Sequence, residues 1–403
     1  MTNYSRYHTS LSFKGRTIGQ DLWGDFLAVI LFFYTLNWLN CAVPISIAVV
    51  LILILKYIKN RCTTTSWQAI FVTTFFVVYG LCTWNINGEN RIILTSQCII
   101  FFLLGRNIGR LKLTNNYFKI ISGAAFGFVL RAVLDSLTSQ LTVDRRLIDL
   151  NDGYLIPVTQ VVAWLIIFLA LIPWIAFIFK KFNLFNKVLY SAIIILSTGV
   201  AIYLSSRTVI FALFFSLAYI IVMAIRDKKY KILGAIVIVI LLIFIVLNFN
   251  FWGMKDLLLN SDLASRFVKE GVTTPRTKRW AYLIQHWREY PFGGRHFYNY
   301  FDAQLHNVFF DLFDEAGIFV ELLFLLIYLK LIIELIIIFI NRNKFGEDIS
   351  VGFLSWFIIV SFLLFTEPVW DYGRYMFMAM VFMMIGITDG IFCYGINDFG
   401  QEE

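Results

Sequence analysis

An all-helical, polytopic membrane protein is predicted by composition, by the recurrence of long apolar runs and by where the charges fall between them. Of 403 residues, 59% are hydrophobic and 18% aromatic, with a mean hydropathy of +0.75, far above the composition of a soluble domain. Crossing ~30 Å of hydrocarbon takes ~20 apolar residues in a helix. Runs of that length repeat from end to end, so residues 1–403 read as one integral membrane domain without a separate soluble unit.

In chain order, residues 1–20 are polar, with Arg6, Lys14 and Arg16, and lack the short apolar core and cleavage site of a removable signal. The first apolar run then serves as its own insertion signal. The apolar pattern predicts twelve helices, at about 22–38, 41–58, 67–85, 92–109, 117–136, 154–179, 186–204, 207–226, 231–250, 308–340, 350–366 and 373–394. The run 117–136 contains Arg131 and Asp135, and a tilted or interfacial helix would suit it equally. Cys41, Cys62, Cys82, Cys98 and Cys393 are scattered without a C-x-x-C, which suggests neither zinc nor a disulfide framework.

The net charge of +8 raises the question of nucleic acid, but in such a chain basic loops that set orientation are the first explanation. With a cytoplasmic N-terminus, the inner segments hold Lys56, Lys59, Arg61, Arg106, Arg110, Lys112, Lys119, Lys180, Lys181, Lys187, Arg226, Lys228, Lys229, Lys231, Arg342 and Lys344. The short outer loops hold very few basic residues, so both termini are expected in the cytoplasm and no nucleic-acid partner is implied.

Residues 251–305, between the ninth and tenth runs, break the pattern as the one long outer loop. There Lys255, Arg266, Lys269, Arg276, Lys278, Arg279, Arg288 and Arg295 outnumber Asp256, Asp262, Glu270, Glu289 and Asp302. Long structured loops usually work, and outward arginines await an anion such as phosphate. Within the loop, Thr274-Pro275-Arg276 followed by Trp280, Leu283, Ile284 and Trp287 predicts a short amphipathic helix. Its tryptophans would rest at the membrane interface, with Arg276 and Arg279 on the polar side. A plain interfacial anchor has the same periodicity.

His306 stands where the loop enters the tenth run, followed by Asn307, by Asp311 and Glu315 four apart, and by Gly317. A boundary histidine alone reads as an interfacial residue, but carboxylates beside a bilayer are costly without a role. Arg207, opening the eighth run after Ser205-Ser206, reads alone as a snorkelling residue. Convergence of Arg207, the Arg276/Arg279 pair and His306 on one face favours a site. If its anion is a lipid diphosphate, arginines hold the leaving group while histidine orients or deprotonates an attacking hydroxyl. That is glycosyl transfer. The Asp-x-Asp metal clamp is absent from the sequence, and no cofactor or metal is expected.

At these residues the chain resembles the superfamily of O-antigen ligases and O-antigen or capsule polymerases, membrane glycosyltransferases of the bacterial inner membrane. The resemblance is carried by Ser206-Arg207-Thr208 opening a span, by Arg276 to Trp280 leading into Pro291-Phe292-Gly293-Gly294, and by His306-Asn307 with Asp311, Glu315 and Gly317. It covers residues 200–330 in detail and most of the chain in layout; Thr277-Lys278-Arg279 is more basic than the pattern.

The resemblance implies a metal-independent, inverting transfer on the outer face, with an undecaprenyl-diphosphate-linked oligosaccharide as donor and a glycolipid as acceptor. Arg207 and Arg276 would bind the diphosphate, Arg279 and Arg295 would assist, and His306 would position or activate the acceptor hydroxyl. Asp311 and Glu315 would orient His306 or bind sugar hydroxyls, and Trp280 would line the substrate site. The resemblance leans to a polymerase, helped by Thr366-Glu367-Pro368, over a ligase acting on lipid A-core, and leaves room for a chain-length regulator. Glu367, Asp371 and Arg374, between the last two runs, would touch substrate, or an Asp371/Arg374 pair would tie the two helix ends; Lys330 and Glu334 read as a structural pair. A lipid-linked oligosaccharide transporter is the rival from another class, disfavoured by the lack of an internal repeat.

Overall fold

The computed structural model describes residues 18–60, 66–84, 88–110, 116–139, 141–142, 146–149, 151, 153–250, 256, 264–265, 275–370 and 375–397. Arg6, Lys14, Arg16, Arg61, Cys62, Lys112, Lys255, Asp262, Arg266, Lys269, Glu270, Thr274, Asp371 and Arg374 lie outside these residues.

The first half begins with α1 (Ile18–Leu36), α2 (Ala42–Asn60), α3 (Trp67–Thr83), α4 (Gly88–Arg110) and α5 (Tyr117–Thr138). A short antiparallel hairpin, β1 (Arg146–Ile148) and β2 (Leu155–Pro157), precedes α6 (Val158–Leu169) and α7 (Ile172–Ile178). Then come α8 (Leu184–Tyr203), α9 (Arg207–Arg226) and α10 (Tyr230–Asn248). Three shorter helices follow, α11 (Pro275–His286), α12 (His296–Phe301) and α13 (Val308–Ala316). The chain closes with α14 (Ile318–Ile340), α15 (Arg342–Phe345), α16 (Glu347–Thr366) and α17 (Tyr375–Asn397).

Among the described residues, eight helices are long and apolar enough to cross a membrane, and four shorter apolar ones lie in α1, α2, α3 and α10. Apart from the two-stranded hairpin, the described residues therefore form a helical, polytopic membrane protein. Two expected helices are not continuous. The run expected at 154–179 starts only at Val158, after the hairpin, and divides into α6 and α7 around Ala170 and Leu171, just before Pro173. The run expected at 308–340 breaks at Gly317, whose backbone (φ 87°, ψ 178°) is not helical.

Small residues set the closest seams. A Cβ on Gly105 of α4 would sit 2.0 Å from the Met383 carbonyl oxygen, and one on Gly386 of α17 would sit 2.1 Å from that of Phe102. Gly109 and Gly390 repeat the approach one turn on. Gly123 and Gly127 of α5 meet the α1 carbonyls of Ala28 and Phe32 in the same way. In lipid, where burial between helices gains little, backbone approach through small-x-x-x-small pairs supplies the van der Waals contact that holds helices together.

The irregular run at 117–136 is a core helix. Arg131 and Asp135 are both buried in α5 and form an ion pair at 2.9 Å, with Asp149 closing the cluster at 2.5 Å. Arg131 also donates to the carbonyls of Leu36 and Asn37, so the charge that made this helix ambiguous ties α1, α5 and the hairpin together. Lys330 and Glu334 form a salt bridge at 2.9 Å inside α14. Asp389 of α17 pairs with Arg106 of α4 at 2.8 Å and accepts from Ser66 at 2.8 Å. Each of these buried charges has an opposite charge beside it, which is how a bundle interior tolerates ions.

Candidate active site

Four chain regions meet at one end of the bundle: the start of α9, the start of α11, the loop before α13 and the end of α16. The opposite ends of α9 and α14 meet the start of α16 on the other side, through Arg342–Asp227 at 2.9 Å and Lys229–Glu347 at 2.7 Å. The site and this basic face therefore lie at opposite ends of the same helices.

Glu367 is the centre of the site. It is buried and accepts from the Thr208 hydroxyl at 2.5 Å and from Arg276 Nη2 at 3.3 and 3.4 Å. His306 Nδ1 lies 3.8 Å from its Oε2, beyond hydrogen-bond range. Arg276 Nη1 also donates to the Thr366 carbonyl. A guanidinium carries five N–H groups, so these bonds orient Arg276 and leave donors for an anion. Burial alone would raise the Glu367 carboxyl, but His306, Arg276 and Thr208 outweigh it and hold it at about 2. Burial pushes His306 below the ordinary 6.5; Glu367 opposes this, and Arg276 and Arg279 reinforce it. At neutral pH the pair is a carboxylate beside a neutral imidazole.

His306 has a left-handed backbone (φ 61°). Such strain persists only where the surroundings over-determine it, and it clusters at functional positions. The preceding residues are clamped three times: Arg279 donates to the Gln304 carbonyl at 2.8 Å, Trp280 Nε1 donates to the Leu305 carbonyl at 2.6 Å, and the Leu305 N–H donates to Asp311 at 2.9 Å. After His306, the Asn307 side chain caps α13 by accepting from Phe309 and Phe310. The histidine is held from both sides.

The expected amphipathic helix is α11, with Leu283 buried against Phe297, Leu305 and Phe313 and with Trp280 packed beside them. Trp280, expected at a membrane interface, packs partly buried against this cluster. Its ring packs edge-on against Phe310 and its N–H holds the histidine loop. Arg276 and Arg279 lie close enough that Arg276, after burial, is the next cause lowering Arg279, while Asp311 raises it. Crowded cations of this kind concentrate a positive potential at one spot.

Arg207, half-buried, is the first residue of α9 after the Ser206 cap, and the bond from the same motif to Glu367 comes from Thr208. Arg295 and Glu315 belong to an adjoining cluster. Glu315 accepts from Tyr79 at 2.8 Å, from Arg91 and from Arg295 at 3.2 Å. Glu315 thus ties α13 to α3 and α4, and it is Asp311 that acts on the histidine loop. Sequence reasoning missed Thr208 as an anchor and Tyr79 and Arg91 as partners, and named Glu367 as part of a motif and as a residue touching substrate, not as the partner of Arg276 and Thr208.

The break at Gly317 is made by the Pro291-Phe292-Gly293-Gly294 turn. Ile318 N donates to the Pro291 carbonyl at 2.9 Å, and Arg295 N donates to the Asp314 carbonyl at 2.7 Å. Asp314 in turn caps α12 by accepting from Phe297 and Tyr298 N–H at 2.8 and 2.9 Å. A Cβ on Gly317 would lie 2.6 Å from the Phe292 carbonyl carbon, and one on Gly293 2.6 Å from Gly317 N. Gly317→Ala is expected to lower the thermal unfolding midpoint in detergent clearly. The disfavoured backbone costs ~1–3 kcal/mol and overpacking a further ~1–3 kcal/mol. An unchanged midpoint would mean that the turn does not seat there.

The sequence matches no protein-family model and none of the curated proteins with which it was compared.

Proposed function

We propose that the protein is a membrane glycosyltransferase that acts on undecaprenyl-diphosphate-linked glycans at the outer face of a bacterial cytoplasmic membrane, as a surface-polysaccharide polymerase. In this reading the eight long and four shorter apolar helices make twelve crossings, both termini are cytoplasmic, and the site faces outward. The observation that carries the reading is the half-buried, backbone-strained His306 set against Glu367 beside Arg276 and Arg279; Arg207 enters the reading as the neighbour of Thr208 at the start of α9.

The step balances as a single displacement. The acceptor hydroxyl oxygen forms a bond to the donor's anomeric carbon, and the bond from that carbon to the diphosphate oxygen breaks with its electron pair. Undecaprenyl diphosphate leaves, its charge met by Arg276 and Arg207 with help from Arg279. The hydroxyl proton goes to His306 Nε2, while Nδ1 faces Glu367. Contacts of this kind are often long without substrate and tighten when it binds, and Glu367 then stabilises the imidazolium. The acceptor is a second lipid-linked repeat unit. Arg295 supports the diphosphate end, and Glu315 holds the arginines that flank it.

The test supplies purified protein with an undecaprenyl-diphosphate-linked repeat unit, with and without lipid A-core. Longer glycans on the carrier alone support a polymerase, and product formed only with lipid A-core assigns a ligase. Movement of unchanged lipid across vesicles would replace this reading with a transporter.

A pH profile follows from the site. His306 works as a base only when neutral, and its value lies below 6.5, so kcat/KM is expected to fall on the acid side only at pH values below that. Glu367 raises His306, so Glu367→Gln should move the acid limb to still lower pH. A limb above 6.5, or one that Glu367→Gln leaves in place, would remove His306 as the base.

A further inference from the structure

At the end of the bundle opposite the candidate site, a polar cleft of about 320 Å³ opens where α9, α15 and α16 come together. It is lined by Arg226, Asp227, Lys228 and Lys229 from the end of α9 and the turn after it, by Arg342 of α15 and by Glu347 at the start of α16. Four cations meet two carboxylates, and both carboxylates are engaged. Asp227 takes Arg226 at 2.8 Å and Arg342 at 2.9 Å, and Glu347 takes Lys229 at 2.7 Å. Burial would raise the Asp227 carboxyl, but Arg226 and Arg342 outweigh it and hold it at about 2, so it counts as a full negative charge. Near Glu347, Lys181 pairs with Asp348 and leaves the surplus unchanged. A surplus of two positive charges remains in the cleft.

Lys228 carries the part of that surplus that no carboxylate answers, since among the described residues it makes no ion pair. It closes α9 in a Schellman turn, with Lys229 N donating to the Ala224 carbonyl at 2.8 Å and Lys228 N to the Ile225 carbonyl at 3.1 Å. Lys228 holds the left-handed position (φ 53°) that glycine or asparagine ordinarily takes. A lysine strains the turn there and gains it nothing, so its charge needs another account.

Toward the bundle the cleft gives way to apolar surface. The guanidinium carbon of Arg226 lies 4.6 Å from the centre of the Phe339 ring, and Lys229 Nζ lies 4.6 Å from that of Phe177. Val222, four residues before Arg226, and Ile336, three before Phe339, share their helix faces and are exposed. α16 packs behind both α9 and α14. A free anion would use the cleft alone, whereas a phospholipid would use the cleft and this apolar surface together.

We infer that the cleft binds the headgroup of an anionic phospholipid from the adjacent leaflet, with the phosphate among Lys228, Lys229 and Arg342 and an acyl chain along Val222 and Ile336. Basic pockets at the ends of spans recognise anionic headgroups in this way. The inference does not depend on the glycosyltransferase reading.

The test measures binding of phosphatidylglycerol, phosphatidylethanolamine and inorganic phosphate to the full-length protein in detergent by native mass spectrometry. Phosphatidylglycerol should bind several-fold more tightly than phosphatidylethanolamine, and a photoreactive phosphatidylglycerol should label residues within 222–229 and 336–347. Lys228→Gly and Lys228→Asn should each weaken phosphatidylglycerol about fivefold, the effect of one lysine beside an anionic headgroup. Their thermal midpoints without lipid should match or exceed that of the wild type, because both residues suit the left-handed position. Lys187→Ala in α8, which removes a positive charge outside the cleft, is the control and should change neither. Equal binding of the two phospholipids, labelling elsewhere, or Lys228 variants that bind as the wild type does would overturn the inference. Displacement of phosphatidylglycerol by an equal concentration of inorganic phosphate would overturn it in favour of a site for free anions.

Discussion

Replacing His306 with asparagine is expected to abolish most turnover of a lipid-linked glycan while leaving the protein folded. A positioned general base contributes ~10²–10⁴-fold, and that is the loss to be measured in kcat/KM. Asparagine is the informative substitution because His306 sits at φ 61°, a region asparagine tolerates better than most residues. The loop bonds from Arg279, Trp280 and Asp311 fall on Gln304 and Leu305, so they survive the change. An unchanged melting midpoint with lost turnover separates chemistry from folding. Full activity in His306→Asn would show that the imidazole takes no proton.

The second large effect is expected at Glu367. Glu367→Ala removes the carboxylate that receives Thr208 and Arg276 and faces His306. Stripping the partner from a buried pair costs ~3–5 kcal/mol, and the Arg276 side chain, 27% exposed, recovers part of that from water. A fall in thermal midpoint together with loss of activity is expected. Glu367→Gln keeps an acceptor oxygen and the shape, and so should recover most of the stability while activity stays low. Equal stability of wild type, Glu367→Gln and Glu367→Ala would mean that Glu367 is not the joint between α9, α11 and α16.

The helices were legible because a bilayer demands long apolar runs, and the start of α11 was legible because proline after a capping residue opens a helix. The break at Gly317 was not, since Val308 to Ile340 keeps its helical apolar pattern across that position. The break comes from a turn some twenty-five residues earlier, Pro291 to Gly294, packing on that backbone, and local pattern carries no trace of a tertiary contact. The glycine seams had a visible signal in the G-x-x-x-G spacings at Gly105/Gly109, Gly123/Gly127 and Gly386/Gly390. At the site, residue type marked Arg276 and His306, but pairing was out of reach. Asp311 and Glu315 share a helix face, yet one holds a backbone N–H of the histidine loop and the other holds Tyr79, Arg91 and Arg295. The usable clue for Glu367 was cost: a carboxylate closing an apolar run needs a partner, and two of its partners, Arg276 and His306, were already under suspicion.

The most direct test of the central claim is release of undecaprenyl diphosphate from an undecaprenyl-diphosphate-linked repeat unit by the purified protein in vesicles, beside Arg276→Ala and His306→Asn. Release by the wild type in step with glycan growth, lost in both variants, is the predicted result. Release that both variants match, or glycan transport without release, would contradict it.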